Sequence, residues 1–456
     1  MKSDTRSLNF RANAARALRD TSLREAIRTA TDTFAVKRAE GVAAVPLEVW
    51  REKASAIRLN VLDNLPDYLD RFTSNATRAG AVVHRAPDAE AARDIVLHIL
   101  KDRGVRRIAK AKSMVTEEIR LNEHLESHGM EVVETDLGEY IVQLAGESPS
   151  HILAPAIHKN RRQVGRLFAE KLGVEYSDDP EILTKIARRA LRKVFLSADA
   201  GISGANFAIA DTGSLAIFTN EGNGRMVTTL PKLHVAVMTM EKIIPGLNDL
   251  ATFIRLLPRS ASGQKMSSYL SIITGPRKID DGSQVEQLHI VVLDNGRSRI
   301  LQGECREILK CIRCSACINV CPVYKAVGGH AYQSTYPGPM GIVLTNELEG
   351  LDRAHPLLDA STLCGACADV CPVKVPLVKL IRTLREQRVN RHLTPGHEKT
   401  GMQTFALAAR HRSLFGWGQR LSHLLWPVLR ALVPGKTVKR LPKPARRSLT
   451  RIMSLK

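Results

Sequence analysis

The stretch AVVHRAPDAEAARDIVLHILKDRGVRRIAKAKSMVTEEIRLNEHLESHGMEVVET, residues 81–135, decides the fold. AVVHRA (81–86) has the composition of a strand, and DAEAARDIVLHIL (88–100) opens on Asp88 as an N-cap and runs on as a helix. RRIAKAK (106–112) is strand-like again, MVTEEIRLNEHLESHG (114–129) reads as one helix ending at Gly129, and MEVVET (130–135) is a third strand. This β-α-β-α-β rhythm predicts an α/β domain built on a parallel sheet, with helices on both faces.

Working outward, the rhythm continues through HILAPAI (151–157) and two helical stretches between residues 160 and 198. Strands broken by glycine turns follow in 204–240, and YLSIITGP (269–276) and LHIVVLD (288–294) close the domain, which spans 80–298. Residues 1–79 read as a helical lead-in packing against it; the helical spacing of apolar positions is plainest from Trp50 onward. No G-x-G-x-x-G follows the first strand and no phosphate-binding G-x4-G-K-[ST] is present, so neither device supports nucleotide binding.

All eight cysteines lie between Cys305 and Cys371. Seven form two runs closed by Cys-Pro: Cys311, Cys314, Cys317 and Cys321 with Pro322, then Cys364, Cys367 and Cys371 with Pro372. That spacing is the mark of iron–sulfur ligation, and the fourth cysteine of such a run serves the other cluster. Two 4Fe-4S clusters are therefore expected, the first on Cys311, Cys314, Cys317 and Cys371, the second on Cys321, Cys364 and Cys367. A zinc site needs only four ligands, which seven thiols exceed.

The second set is one ligand short, because Ser361 stands where the pattern wants a cysteine. Cys305, Ser361 through its oxygen, a water or a partner's ligand are the alternatives. The 42 residues between Cys321 and Cys364 exceed what a compact ferredoxin uses, so a helical two-cluster ferredoxin module over 299–377 is expected.

The charge is uneven. The net charge is +21, and residues 377–456 hold 18 Lys/Arg against 2 Asp/Glu. A basic helical tail over 378–456 is thus set against a nearly balanced body, which argues against nucleic acid as partner and for docking to an acidic partner, or else to an anionic membrane face with Trp417 and Trp426 at the interface. The segment from Pro434 onward reads as mobile. Cysteines confined to one window indicate metal ligation in a reducing compartment. With no apolar export segment and no run of 18 apolar residues, the expected location is the cytoplasm, peripherally at the inner membrane face if the tail binds lipid.

KSMVTEEIRLNE (112–123), ETDLGEYIVQLAGESPSHILAPAIHKNR (134–161), GISGANFAIADTGSLAIFTNEGNG (201–224), CIRCSACINVCPVY (311–324) and LCGACADVCPVKVPL (363–377) together resemble the lactate utilisation protein B family. The resemblance covers nearly the whole chain. It implies an iron–sulfur subunit of a multi-subunit system that oxidises L-lactate to pyruvate without NAD, with other subunits as partners. It also implies that residues 80–295 are similar to the glucosamine-6-phosphate deaminase, ribose-5-phosphate isomerase and CoA transferase fold. Lactate oxidation removes two electrons and a flavin motif is absent here, so the chain reads as a relay rather than the site of C–H cleavage.

In the β/α domain, Lys112 and Ser113 at a strand end, with Glu117 and Glu118 on the next helix, are candidates to receive a carboxylate or phosphate. Asp211, Thr212 and Gly213, with Glu221 in the following NEGNG, are the other candidates, against a plain reading as hairpin turns. His151 and His158 read more readily as capping or satisfied histidines than as catalytic ones. Two alternatives to the relay remain open: a CoA-transferase-like or sugar-phosphate enzyme with redox-sensing clusters, for which Glu221 is the one acidic nucleophile in a glycine-rich setting, and an iron–sulfur regulatory or scaffold protein.

Overall fold

The computed structural model describes residues 8–276 and 286–428. Contacts divide the chain into two units, Met1–Gln387 and Arg388–Lys456.

The first unit is built on six parallel strands: β1 (Val82–Ala86), β2 (Arg107–Lys110), β3 (Glu131–Glu134), β4 (Ala200–Gly204), β7 (Leu233–Thr239) and β10 (Gln287–Leu293), ordered β1-β10-β7-β4-β2-β3. β7 and β10 pair over seven residues, from Leu233↔Gln287 to Thr239↔Leu293. A second sheet, ordered β8-β5-β6-β9, joins β5 (Phe207–Ile209), β6 (Ser214–Thr219), β8 (Ile243–Ile244) and β9 (Tyr269–Ile273).

Side chains alternate across the main sheet as the strand period requires. Val235, Val237, Val291 and Leu293 join the core under the helix Ala89–Asp102. Ala236, Met238, Ile290 and Val292 face the opposite way, against Val61, Leu65 and Phe72 of the helices Leu47–Asp63 and Leu65–Arg78. Each fully buried aliphatic side chain contributes about 1.5–3 kcal/mol.

Two local expectations fail for identifiable reasons. HILAPAI is not a strand: the His151 ring accepts N–H groups of Leu153 (3.0 Å) and Ala154 (3.1 Å), and Ser150 N donates to Pro155 O, folding the segment into a turn. The helix expected over 114–129 is two, Met114–Glu118 and Leu121–Glu126, split at Arg120, whose φ of 50° is left-handed.

The N-terminal helices reach past the β/α domain to the cysteine-bearing segment. Leu8 N donates to Arg353 O, and Phe10 packs on Tyr332 at 5.3 Å. In the helix Thr21–Ala43, Ile27 lies against Gly328 and Asp32 pairs with Lys325 (2.7 Å).

The basic helix, observed as Leu377–Asn390, begins inside the first unit: Leu377, Leu380, Ile381 and Leu384 are buried. In the second unit, the helices Gly396–Arg410 and Arg412–Leu424 meet through Phe405 and Phe415. Trp417, Leu421 and Leu424 are exposed there. The tail beyond Val428, including the segment read as mobile, lies outside the described residues. Among the described residues, no helix is long and apolar enough to cross a membrane.

Candidate functional site: two thiol sets at the edge of a parallel sheet

The cysteine loops are short and conformationally demanding. Arg313 (φ 59°) and Ser315 (φ 67°) are left-handed, as are Leu363 (φ 55°) and Gly365 (φ 90°). Each loop then enters a one-turn helix, Ala316–Asn319 or Ala366–Asp369. Non-glycine residues adopt this conformation only where the surroundings impose it.

The thiols fall into two groups. Burial raises the pKa of Cys314, Cys317 and Cys371, and mutual repulsion with one another and with Cys311 raises them further. Burial likewise raises Cys321 and lifts Cys367 to about 11, with Cys321, Cys364 and Cys367 repelling one another. So Cys371 sits with the first run and Cys321 with the second.

Cys311, Cys314, Cys317 and Cys371 line a small cavity of about 20 Å³ whose other walls are largely apolar, including Ile318, Met340 and Val373. Among the described residues, no three His, Cys, Asp or Glu converge on a single metal ion. A cube asks for a wider spread, since each thiolate binds a different iron. Four repelling sulfurs around an apolar hollow fit such a cationic core. Backbone amides aimed at the sulfurs favour the thiolate: Val375 N donates to Cys371 Sγ (3.3 Å), and the amides of Ala316 and Met340 face Cys314 and Cys317.

The second set reaches the surface at one thiol. Cys364 is exposed, while Cys321 and Cys367 are buried; in the first set Cys371 is buried and Cys311, Cys314 and Cys317 are half-buried. Cys305 stands apart. Burial raises its pKa, and it donates to Glu347 with Glu304 nearby; no other cysteine acts on it. The expectation of Cys305 as the missing ligand meets a thiol held by a carboxylate.

Arginines surround the first set. Arg51 Nε donates to Cys371 O (2.9 Å) and Arg38 Nη2 to Val370 O (3.1 Å). Buried Arg58 binds the carbonyls of Ile243 (2.8 Å), Leu309 (2.9 Å) and Lys310 (3.2 Å). Arg313, in the ligand loop, pairs with Glu241 (3.2 Å) just past β7 and lies over the Tyr336 ring at 5.3 Å. Glu241 also meets Arg297 (3.0 Å), which forks onto Glu118 (2.7 and 2.9 Å), and Tyr336 Oη donates to Glu118 (2.6 Å). Burial would raise the Glu241 carboxyl, but Arg297 and Arg313 hold it down to about 2. This network, absent from the sequence reading except for Glu118, closes the carboxyl ends of β7 and β10 against the cysteine loops. The one hint in the sequence was a charged residue following the apolar run of β7.

At the other end of the same edge lie Lys112 and Ser113, past β2. Buried Lys110 pairs with Glu134 and, at 3.4 Å, with Glu117. Lys112 faces Glu139 (3.7 Å), and Ser113 caps the helix Met114–Glu118. Glu221 joins this end, but as a cap: its carboxylate accepts Leu137 N (3.1 Å), and burial beside Asp136 lifts it to about 7. Asp211, Thr212 and Gly213 do not join it. They form the β5–β6 turn, where Asp211 pairs with Arg71 (3.2 Å), and Gly213, at φ 68°, lies so close to the main chain of Asn75 and Ala76 that a Cβ would collide. His151 caps its turn and donates Nε2–H to Asn319 (3.0 Å); burial lowers it to about 3, so it stays neutral. His158 pairs with Glu147 (2.6 Å).

Glu139 gives a pH test. Burial lifts it to about 8, against the pull of Lys112. A raised carboxyl stabilises the fold fully below its unfolded range, and that contribution is lost as pH rises through about 8. Glu139→Gln should flatten this decline, by on the order of a few kcal/mol, in urea unfolding across a pH series. Equal slopes for both proteins would contradict it.

A parallel-sheet domain whose carboxyl edge abuts a helical module with two thiol sets defines the class: an α/β protein joined to a dicluster ferredoxin-type domain. Residues 69–293 match the LUD domain family model, and 307–375 match the 4Fe-4S dicluster domain model. The chain is 48% identical over 382 residues to lactate utilization protein B of Macrococcus caseolyticus, covering 83% of this chain and 80% of the relative. It is 44% identical over 451 residues to the Shouchella clausii protein of the same name, covering 96% and 94%. A DUF162 family crystal structure from Deinococcus radiodurans aligns at 12% identity with a TM-score of 0.29, over 50% of this chain and 98% of that one. The chain belongs to the lactate utilization protein B family.

Proposed function

We propose that this chain is the iron–sulfur electron-transfer subunit of a multi-subunit, NAD-independent system that oxidises L-lactate to pyruvate. The observation that carries the reading is the pairing of one thiol set, half-buried and walled by arginines, with a second set that reaches the surface at Cys364. Cys311, Cys314, Cys317 and Cys371 would hold one 4Fe-4S cluster, and Cys321, Cys364 and Cys367 the other. Such clusters supply one-electron transfer. The chain's part is to hold the thiolates and to place positive charge beside the first set through Arg38, Arg51, Arg58 and Arg313. Cationic surroundings favour the reduced state, so the first set is the better electron store and the second, through Cys364, the better port. The two-electron oxidation of lactate falls to partner subunits. Mixing the full chain with them and supplying lactate should reduce the clusters; no reduction in the assembled complex would overturn the reading.

The basic tail serves partner docking in this proposal. The buried start of the helix Leu377–Asn390 sets where it can be removed: a chain ending at Asn390 keeps Leu377–Leu384 in place. That chain should keep its iron, lose affinity for the partner subunits, and match the full chain in sedimentation with anionic liposomes. Lipid binding lost on truncation would instead assign the tail to the membrane surface.

A further inference from the structure

The second thiol set lacks a fourth protein ligand by residue type, but not by position. The two runs are related by a shift of 50 residues: Cys311 corresponds to Ser361, Arg313 to Leu363, Cys314 to Cys364, Ser315 to Gly365, Cys317 to Cys367, and Cys321 to Cys371. The backbone obeys the same correspondence, with left-handed residues at Arg313 (φ 59°) and Leu363 (φ 55°) and again at Ser315 (φ 67°) and Gly365 (φ 90°).

One hydrogen bond is repeated as well. Arg313 N donates to Cys311 Sγ (3.4 Å), and Leu363 N donates to Ser361 Oγ (3.2 Å). The contact that aims the first ligand sulfur in one loop aims the serine oxygen in the other. Arg385 pins the entry to that second loop, its Nη2 donating to Ser361 O (2.7 Å) and Leu358 O (2.7 Å). The left-handed leucine thus repeats, at the same place in the loop, the conformation that Arg313 takes beside the ligand Cys311.

We propose that Ser361, through Oγ, is the fourth ligand of the cluster held by Cys321, Cys364 and Cys367. On binding, the hydroxyl proton is released to solvent and the oxygen takes one iron. An oxygen donor is harder than a thiolate and favours the oxidised state, so the exposed cluster is the more reducing of the pair. Cys305 plays no part. The proposal rests on the two-cluster reading.

The test uses the full chain, reconstituted anaerobically, with iron and acid-labile sulfide counted and electron spin resonance recorded with and without cyanide. Ser361→Ala should alter one cluster's signal only and make that signal respond to cyanide, which wild type does not. Loss of a mere loop hydrogen bond would not open an iron to cyanide. Ser361→Cys should keep full iron and raise that cluster's potential, and Cys305→Ala should match wild type. A wild-type spectrum and cyanide response in Ser361→Ala, or cluster loss in Cys305→Ala, overturns the assignment. Wild-type protein with iron for a single cluster overturns the two-cluster reading instead.

Discussion

Replacing Glu241 with alanine should destabilise the first unit by about 3–5 kcal/mol, the range expected when one member of a buried ion network is removed and its partners stay charged. Glu241 is buried between Arg297 and Arg313 at 3.0 and 3.2 Å, and both guanidiniums are themselves buried. Arg297 would keep Glu118, but Arg313 would lose its carboxylate and retain the Tyr336 ring and a long contact to the Cys311 carbonyl (3.4 Å). The loss should therefore appear twice, in the urea midpoint followed by circular dichroism and in iron retention by the first cluster. Because Glu241 titrates near 2, its contribution is complete above the ordinary carboxylate range and fades only as pH falls toward 2. Arg71→Ala, which breaks the exposed pair with Asp211 at 3.2 Å, is the control and should cost no more than about 1 kcal/mol. A Glu241→Ala loss as small as the control's would mean that the network does not hold the sheet edge to the cysteine loops.

Cys371→Ala should remove one cluster whole and leave the other spectroscopically intact, and the cluster it removes should be the one that depends on Cys314. The order of the chain suggests otherwise, since Cys371 follows Cys367 by four residues. The groups that act on it decide: Cys311 among the thiols, and the amides of Val373 and Val375. Cys321→Ala, in the first run, should extinguish the same signal as Cys367→Ala. Iron should fall by about half in every case, so the diagnostic is which resonance disappears. If Cys371→Ala and Cys367→Ala deplete the same signal, the grouping is wrong.

The sheet was legible because its signals are local. Near-continuous apolar runs in LHVAVMT and LHIVVLD, and the Asp N-cap that opens DAEAARDIVLHIL, need no knowledge of distant residues. The cysteine spacing was equally local. The charged network was not, because Glu118, Glu241, Arg297 and Arg313 meet only after four separate elements have been placed. The arginines of the lead-in were missed for the same reason: Arg38 and Arg51 reach carbonyls more than 300 positions away. HILAPAI misled because a histidine ring turned an apolar run back on itself. The Asp-Thr-Gly turn looked like a ligand loop, yet its glycine answers to a helix packed against it.

The helices before the β/α domain hold two layers together. One side of them lies on the main sheet and the helix Leu247–Ser262, while Ile27, Asp32, Arg38 and Arg51 meet Gly328, Lys325, Val370 and Cys371 of the cysteine-bearing segment. A chain cut short before Val370 would therefore keep the sheet-side packing of these helices and lose the carbonyls that Arg38 and Arg51 hold.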